Sequence, residues 1–401
     1  MKVLMLGWEL PPHNSGGLGT ACYELCKGLA KNNVDIEFIL PYKAEHNIDF
    51  MTVTAAIPIG VNDIQRLGIA YDSCKYILDS GSEAWLNIVD QHLLYERAVL
   101  ELAKTRQFDI VHAHDWLTFR AALRLKERFG CPIILHVHSV ESDRAGDKPG
   151  NPLIHEIEDT ALHLADRVIA VSEHTKKVMM RDYGLPPEAI EVVHNSLNVN
   201  ELVPLDNENV YRYLKVMKEK GYRVVTSVGR LTIQKGLPNL LDAIRKVVDK
   251  VPKTLVLIVG SGDQMYELME KSAELGIGAN ILFTDFQRGK NWRDAYAIGD
   301  LFVLPSITEP FGLTPLESIG YGTPALISKQ SGVSEVLNNV LKVDYWDIDE
   351  MANQIASVLM NDPLRDELEV NSYRELEKMS WQQATDKMIG IYSAHLSGAG
   401  A

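Results

Sequence analysis

Short apolar runs separated by longer amphipathic stretches recur in two series along this chain. That alternation restricts it to parallel sheets covered by helices on both faces, an α/β class of doubly wound domains. The first series predicts parallel strands at Val3–Leu6, Asp35–Leu40, Ile110–His112, Ile133–His136, Val168–Val171 and Glu191–Val193, with smaller strands between residues 51 and 78. Helices are predicted at Leu18–Lys31, Asn87–Thr105, Leu117–Arg128, Leu153–Leu164 and Glu173–Tyr183. The second series predicts strands at Val224–Ser227, Leu255–Val259, Ile281–Phe283, Leu301–Leu304 and Ala325–Ile327. The polar stretch from Asn195 to Asn209 reads as the connection. After Trp346 the pattern is helical, with Ser380 as the N-cap of a last helix and a tail from Ser397 to Ala401 expected to be disordered. The division expected is 1–197, 198–378 and a terminal helical segment 379–401. At 401 residues, each large domain can bury a full core.

Net charge is -14, which disfavours nucleic acid and anionic membranes as partners, because both recruit basic surfaces. No run approaches membrane-spanning length, and the N-terminus opens directly on a strand, so a soluble, cytoplasmic protein is expected. The four cysteines show neither metal-ligand nor secreted-framework spacing, and Cys22 and Cys26 fall one helical turn apart as small apolar fillers. A homo-oligomer is compatible with this composition.

In doubly wound sheets, ligands bind at the carboxyl ends of the strands. One such end is the stretch from Leu304 to Pro324, where Thr314 and Pro315 read as N-cap and first helical residue. The backbone N–H groups of Phe311, Gly312 and Leu313, leading into Thr314, point to an anion. Glu309 and Glu317 flank that place. Beside an anion site, carboxylates suit sugar hydroxyls, although Glu309 also reads as a solvated loop acid and Glu317 as a partner of the helix dipole. Upstream, Val228-Gly229-Arg230 ends a strand and Lys235-Gly236 opens a helix. Arg230 can grip phosphate with its planar fork, and a lysine at a helix start opposes the dipole, so Lys235 points to an anion. Gly260, in Val259-Gly260-Ser261-Gly262-Asp263, permits close approach of a nucleotide.

In the first half, Gly16, Gly17 and Gly19 form a loop opening a helix, without the spacing of a dinucleotide fingerprint or a P-loop. It serves either a diphosphate or acceptor sugar, or the turn alone. His112-Ala113-His114-Asp115-Trp116 ends a strand, and Asp115 suits either an acceptor hydroxyl and a developing positive charge or the N-cap of the next helix. His136 and His138 share a face, and His138, nearer the strand end, is expected to reach the ligand. Asp347-Ile348-Asp349 reads as helix-opening acids rather than a metal site, so no cofactor and no metal ion are expected.

Together these motifs resemble the retaining GT-B glycosyltransferases, in particular glycosyltransferase family 4 and the bacterial and archaeal glycogen and starch synthases. The carriers are Gly16-Gly17-Leu18-Gly19, the segment His112 to Trp116, His138, Gly229-Arg230 with Lys235-Gly236, Glu309 and Glu317 with seven residues between them, and Ser380-Trp381. Where those synthases carry a lysine before the paired glycines, this chain has Asn14-Ser15. The resemblance implies two Rossmann-like domains facing across a cleft, an N-terminal one for the acceptor and a second for the nucleotide sugar. A C-terminal helix would cross back to the first. It further implies that Arg230 and Lys235 bind the donor diphosphate, Glu317 the ribose and Glu309 the transferred sugar, with His138 and Asp115 near the anomeric carbon. The expected activity is transfer of a hexose, glucose, from UDP-glucose or ADP-glucose to a carbohydrate acceptor, a glucan, as in carbohydrate metabolism. A lipid-linked, cell-surface polysaccharide or small-molecule acceptor is the alternative, and a nucleotide-sugar epimerase or an idle nucleotide-sugar binder would be another class.

Overall fold

A computed structural model describes residues 1–13, 16–66, 74–146 and 149–398. Asn14-Ser15 and residues 399–401 lie outside them, whereas Ser397 and Gly398, expected in a disordered tail, continue a last helix that already runs through Gly390. The chain divides into two compact units. Unit 1 comprises Met1–Ser142, Pro149–Asn195 and Trp381–Ala401, and unit 2 comprises Asp143–Lys148 and Ser196–Ser380.

The strands of unit 1 are β1 (Lys2–Leu6), β2 (Asp35–Leu40), β3 (Thr52–Ala55), β4 (Val61–Arg66), β5 (Cys74–Leu78), β6 (Glu83–Leu86), β7 (Ile110–His114), β8 (Ile133–Val137), β9 (Arg167–Ala170) and β10 (Ile190–Val192). Its helices are α1 (Gly17–Lys31), α2 (Ile88–Ala103), α3 (Trp116–Phe129), the short α4 (Glu141–Ala145) running into unit 2, α5 (Pro152–Leu164) and α6 (Glu173–Tyr183). Seven strands pair in parallel in the order β10-β9-β8-β7-β1-β2-β3. The weaker strands expected between 51 and 78 separate: β3 joins this sheet, while β4 and β5 form a small antiparallel sheet with β6, which the pattern had not marked. Period-2 alternation sets the two faces of the main sheet. Val3 and Met5 pack with α1, while Leu4 and Leu6 pack with Val99, Leu117 and Leu125 of α2 and α3. Asn87 caps α2 by accepting from Asp90 N at 2.9 Å.

Unit 2 holds β11 (Arg223–Val228), β12 (Thr254–Val259), β13 (Ile281–Thr284), β14 (Leu301–Leu304), β15 (Ala325–Ser328) and β16 (Leu341–Val343), paired in parallel in the order β13-β12-β11-β14-β15-β16. Its helices are α7 (Arg212–Glu219), α8 (Leu237–Lys250), α9 (Met265–Glu274), α10 (Gly289–Ala297), α11 (Thr314–Gly320), α12 (Ile348–Met360) and α13 (Asp362–Leu376). Three-residue β16 is too short for a period and escaped the sequence reading. Leu240, Ile244 and Val247 of α8 meet Met351, Ile355 and Leu359 of α12 over one face of the sheet. The last helix, α14 (Trp381–Gly398), belongs to unit 1, where Trp381, Met388 and Tyr392 join the core containing Met5 and Leu25. Among the described residues, no helix is long and apolar enough to cross a membrane.

In each of the two parallel sheets the order in which strands are added reverses at one place. In unit 1 it lies between β1 and β7, and in unit 2 between β11 and β14. Crossovers leave those strand pairs in opposite directions, so a crevice opens at their carboxyl ends.

Candidate functional site

In unit 2, the loops leaving β11 and β14 carry the predicted cation and acid pairs. Arg230 follows β11 and is exposed. Lys235 ends a short turn, Ile233–Lys235, and its Nζ forms an ion pair with Glu309 Oε2 from the loop after β14. Ser306 Oγ donates to the same carboxylate oxygen at 3.1 Å. Glu309 is only 7 % exposed, so it is a held acid rather than a solvated one. Its backbone is also fixed, with Glu309 N donating to Gln330 O at 2.9 Å. Phe311 is buried and Gly312 sits at φ 97, a conformation that favours glycine.

The helix α11 begins one residue earlier than its sequence signals indicated. Leu313 occupies the N-cap position with αR geometry, Thr314 is the first helical residue, and Thr314 makes no side-chain cap. Proline is tolerated anywhere in this first turn, which is why its position did not fix the start. Glu317, on the same helix, is half-buried and its Oε2 accepts from Tyr296 OH of α10 at 2.7 Å. Burial pushes its carboxyl up to about 7, and the tyrosine hydrogen bond works in the opposite direction. Gly260 has φ 142, and a Cβ there would lie 1.8 Å from Gly229 O. Its missing side chain lets the β11 and β12 loops meet backbone to backbone.

In unit 1, Gly16 precedes α1 as its N-cap with extended geometry, Gly17 is exposed as the first helical residue and Gly19 is buried. A Cβ on Gly16 would lie 2.6 Å from Glu9 Oε2. Glu9 is a buried acid just past β1 to which the sequence assigned no role; its place seven residues before Gly16 was the available signal.

Asp115 is 2 % exposed and has φ 58. It stands at the N-cap position of α3 without a side-chain cap bond. Its Oδ1 instead accepts from His138 N at 2.7 Å and Ser139 N at 3.3 Å, anchoring the end of β8. Four imidazoles gather beneath. His112 and His136 stack at 5.3 Å with 4° between planes, and His136 and His138 at 4.5 Å. His112 Nδ1 lies 2.6 Å from Tyr392 OH, and its Nε2 3.2 Å from His136 Nδ1. His138 Nε2 is 2.9 Å from His114 Nδ1. Burial lowers the pKa of all four; for His138 it falls to about 3. Only His138 remains part-exposed, as its position past the strand end led us to expect.

Among the described residues, two sets of potential metal-ligand atoms lie within 4.8 Å of one another: Cys22 with His114 and His138, and His112 with His114 and His136. The cysteine spacing could not show the first, since its members come from a helix, a strand and the residue after another strand. Burial raises the Cys22 thiol, away from the thiolate a metal needs, and four of the eight imidazole nitrogens face one another. Elsewhere Asp347 caps α12, accepting from Glu350 N at 3.0 Å, and Asp349 pairs with Lys246 at 2.5 Å. A cavity of about 360 Å³ lined by Lys2, Glu37 and Arg106 lies at the amino ends of β1 and β2, away from every motif residue.

Residues 15–201 match the family described as Glycosyltransferase Family 4, and residues 215–375 that described as Glycosyl transferases group 1. A protein of Methanocaldococcus jannaschii named as an uncharacterized glycosyltransferase is 28 % identical over 404 residues, covering 98 % of each chain. The glycogen synthase of Mycobacterium tuberculosis is 25 % identical over 414 residues, covering 99 % of this chain and 96 % of its own. Among solved structures, HepE of Anabaena in complex with UDP and glucose matches with a TM-score of 0.74 at 18 % identity, covering 98 % of this chain and all of HepE, a likeness of fold.

Proposed function

Because this chain belongs to the GT-B glycosyltransferases, joining a family 4 region to a group 1 region, we propose that it transfers glucose from a nucleoside diphosphate sugar to a hydroxyl of a glucan, with retention of anomeric configuration. The supporting observation is the ion pair of Lys235 with Glu309, drawn from the two loops that flank the switch point of the second sheet. In the free protein each neutralises the other. On donor binding, Lys235 and Arg230 take the diphosphate, Glu309 turns to the hydroxyls of the sugar, and Glu317 accepts from the ribose hydroxyls. The backbone from Phe311 to Thr314 and the close-packed Gly260 line the nucleotide, and Gly16, Gly17 and Gly19 are the donor-binding residues assigned to unit 1.

His138 and Asp115 serve the sugar, Asp115 by holding the backbone of His138. The acceptor oxygen attacks the anomeric carbon from the side on which the diphosphate departs. The carbon–phosphate-oxygen bond breaks, and the departing phosphate oxygen takes the acceptor's proton. Arg230 and Lys235 supply the positive charge for that leaving group, and no metal is assigned to the step. The net charge of -14 favours a glucan over a membrane-lipid acceptor and agrees with work in the cytoplasm.

The experiment is release of nucleoside diphosphate from UDP-glucose and ADP-glucose, with and without a maltooligosaccharide, followed by NMR of the product's anomeric proton. Acceptor-dependent release with chain growth and an α-linked product supports the proposal. An inverted product overturns retention, and release from neither donor with the oligosaccharide overturns the glucan.

A further inference from the structure

The proton positions of the buried imidazoles follow from one neighbour that cannot donate. His114 Nε2 lies 3.0 Å from Met5 Sδ, at a place where both residues are fully buried. A thioether has lone pairs and no hydrogen, so it only accepts. An unprotonated Nε2 would set two buried acceptors against each other, and the protonated form makes a hydrogen bond instead. A neutral imidazole carries one proton, so His114 Nδ1 is then bare. Its partner at 2.9 Å is His138 Nε2, which must donate. His138 is neutral too, because burial among the other rings holds its pKa near 3, so its own Nδ1 carries no proton.

We propose that His114 is a positioning residue that, set by Met5, fixes His138 as the Nε2-protonated tautomer and so presents Nδ1 as a hydrogen-bond acceptor for a sugar hydroxyl. The part concerning sugar rests on the donor reading above; the tautomer does not. An acceptor nitrogen suits a hydroxyl that donates, and is unsuited to an oxyanion or a carbonyl oxygen, both of which need a donor. His138 therefore acts neither as a general acid nor as an oxyanion donor. The register supports the arrangement: Met5 pairs with His112 and His114 with His136 across neighbouring strands, so Met5 and His114 cannot slide apart without breaking the ladder.

The test is a long-range proton–nitrogen correlation spectrum of the whole protein labelled at histidine with nitrogen-15, with His138 signals assigned by their loss in His138→Gln. The expected result is a single Nε2–H tautomer at His138 in the wild type, and a mixture in Met5→Leu, a swap of similar volume whose folding is checked by its thermal transition. An Nδ1–H tautomer in the wild type, or an unchanged tautomer in Met5→Leu, overturns the proposal. Adding UDP-glucose to the wild type separates the two claims. A shift at Nδ1 supports both. No shift with the Nε2–H tautomer intact faults the donor reading while supporting the tautomer.

Discussion

Tyr296 donates its phenolic hydrogen to Glu317 Oε2 over 2.7 Å, from one helix of the second unit to the next. Burial raises the Glu317 carboxyl to about 7, and the tyrosine bond favours the charged form. In the proposed role, Glu317 accepts from two ribose hydroxyls best as the ionised carboxylate. Donor affinity should therefore rise as pH rises through about 7, and below it weaken about tenfold per pH unit. Tyr296→Phe removes the favourable bond, raises the carboxyl further and moves the profile to higher pH. Calorimetric titration with UDP between pH 5.5 and 8.5 reads both; a flat profile removes Glu317 from the donor site.

Lys235→Ala should lower kcat on the order of 100-fold, as loss of a charge donor to the leaving group does. Glu309 keeps its bond from Ser306, so the thermal transition should move little by comparison. Initial rates with saturating donor and acceptor, beside a melting curve, distinguish a site role from a folding role.

Gly260→Ala should be strongly destabilising, by roughly 3 kcal/mol or more, since the added carbon meets the Gly229 carbonyl and φ 142 is unfavourable for any L side chain. Urea unfolding of the variant checks it. A stability within a few tenths of wild type would mean that the two loops separate readily.

Asp115→Ala removes the acceptor for His138 N and Ser139 N and should lower stability by about 2 kcal/mol. Asp115→Asn keeps an oxygen acceptor and tolerates positive φ, so it should retain most of that stability. Comparing the two variants in denaturant, and their rates at the same pH, separates backbone anchoring from the carboxylate's charge.

Period was the legible part of this protein. Alternation put His136 and His138 on one face, and the position of His138 past its strand end distinguished it from buried His136. Turn chemistry was legible to within a residue, as at Leu313 and Thr314. What stayed hidden were relationships across the sheet. Lys235 and Glu309 are brought together by the adjacency of β11 and β14, and nothing local to either residue announces the other. Asp115 looked like a helix cap because its position is one; its positive φ turned the carboxylate to β8 instead. Gly260 was read for the close approach of a nucleotide; the close approach that period and turn signals could not show is that of the Gly229 carbonyl. Tyr296 had no motif at all, being one aromatic on a helix whose importance lies in what it faces.

The helix α14 has a consequence for the order in which the protein matures during synthesis. Trp381, Met388 and Tyr392 share a core with Met5 and Leu25, and Gly28 leaves only enough room for Thr385. A ribosome must therefore make all of unit 2 before unit 1 can close, a delay of about ten seconds or more at the usual elongation rates. Until then the face of α1 is left bare, and the second unit is free to finish folding ahead of the first.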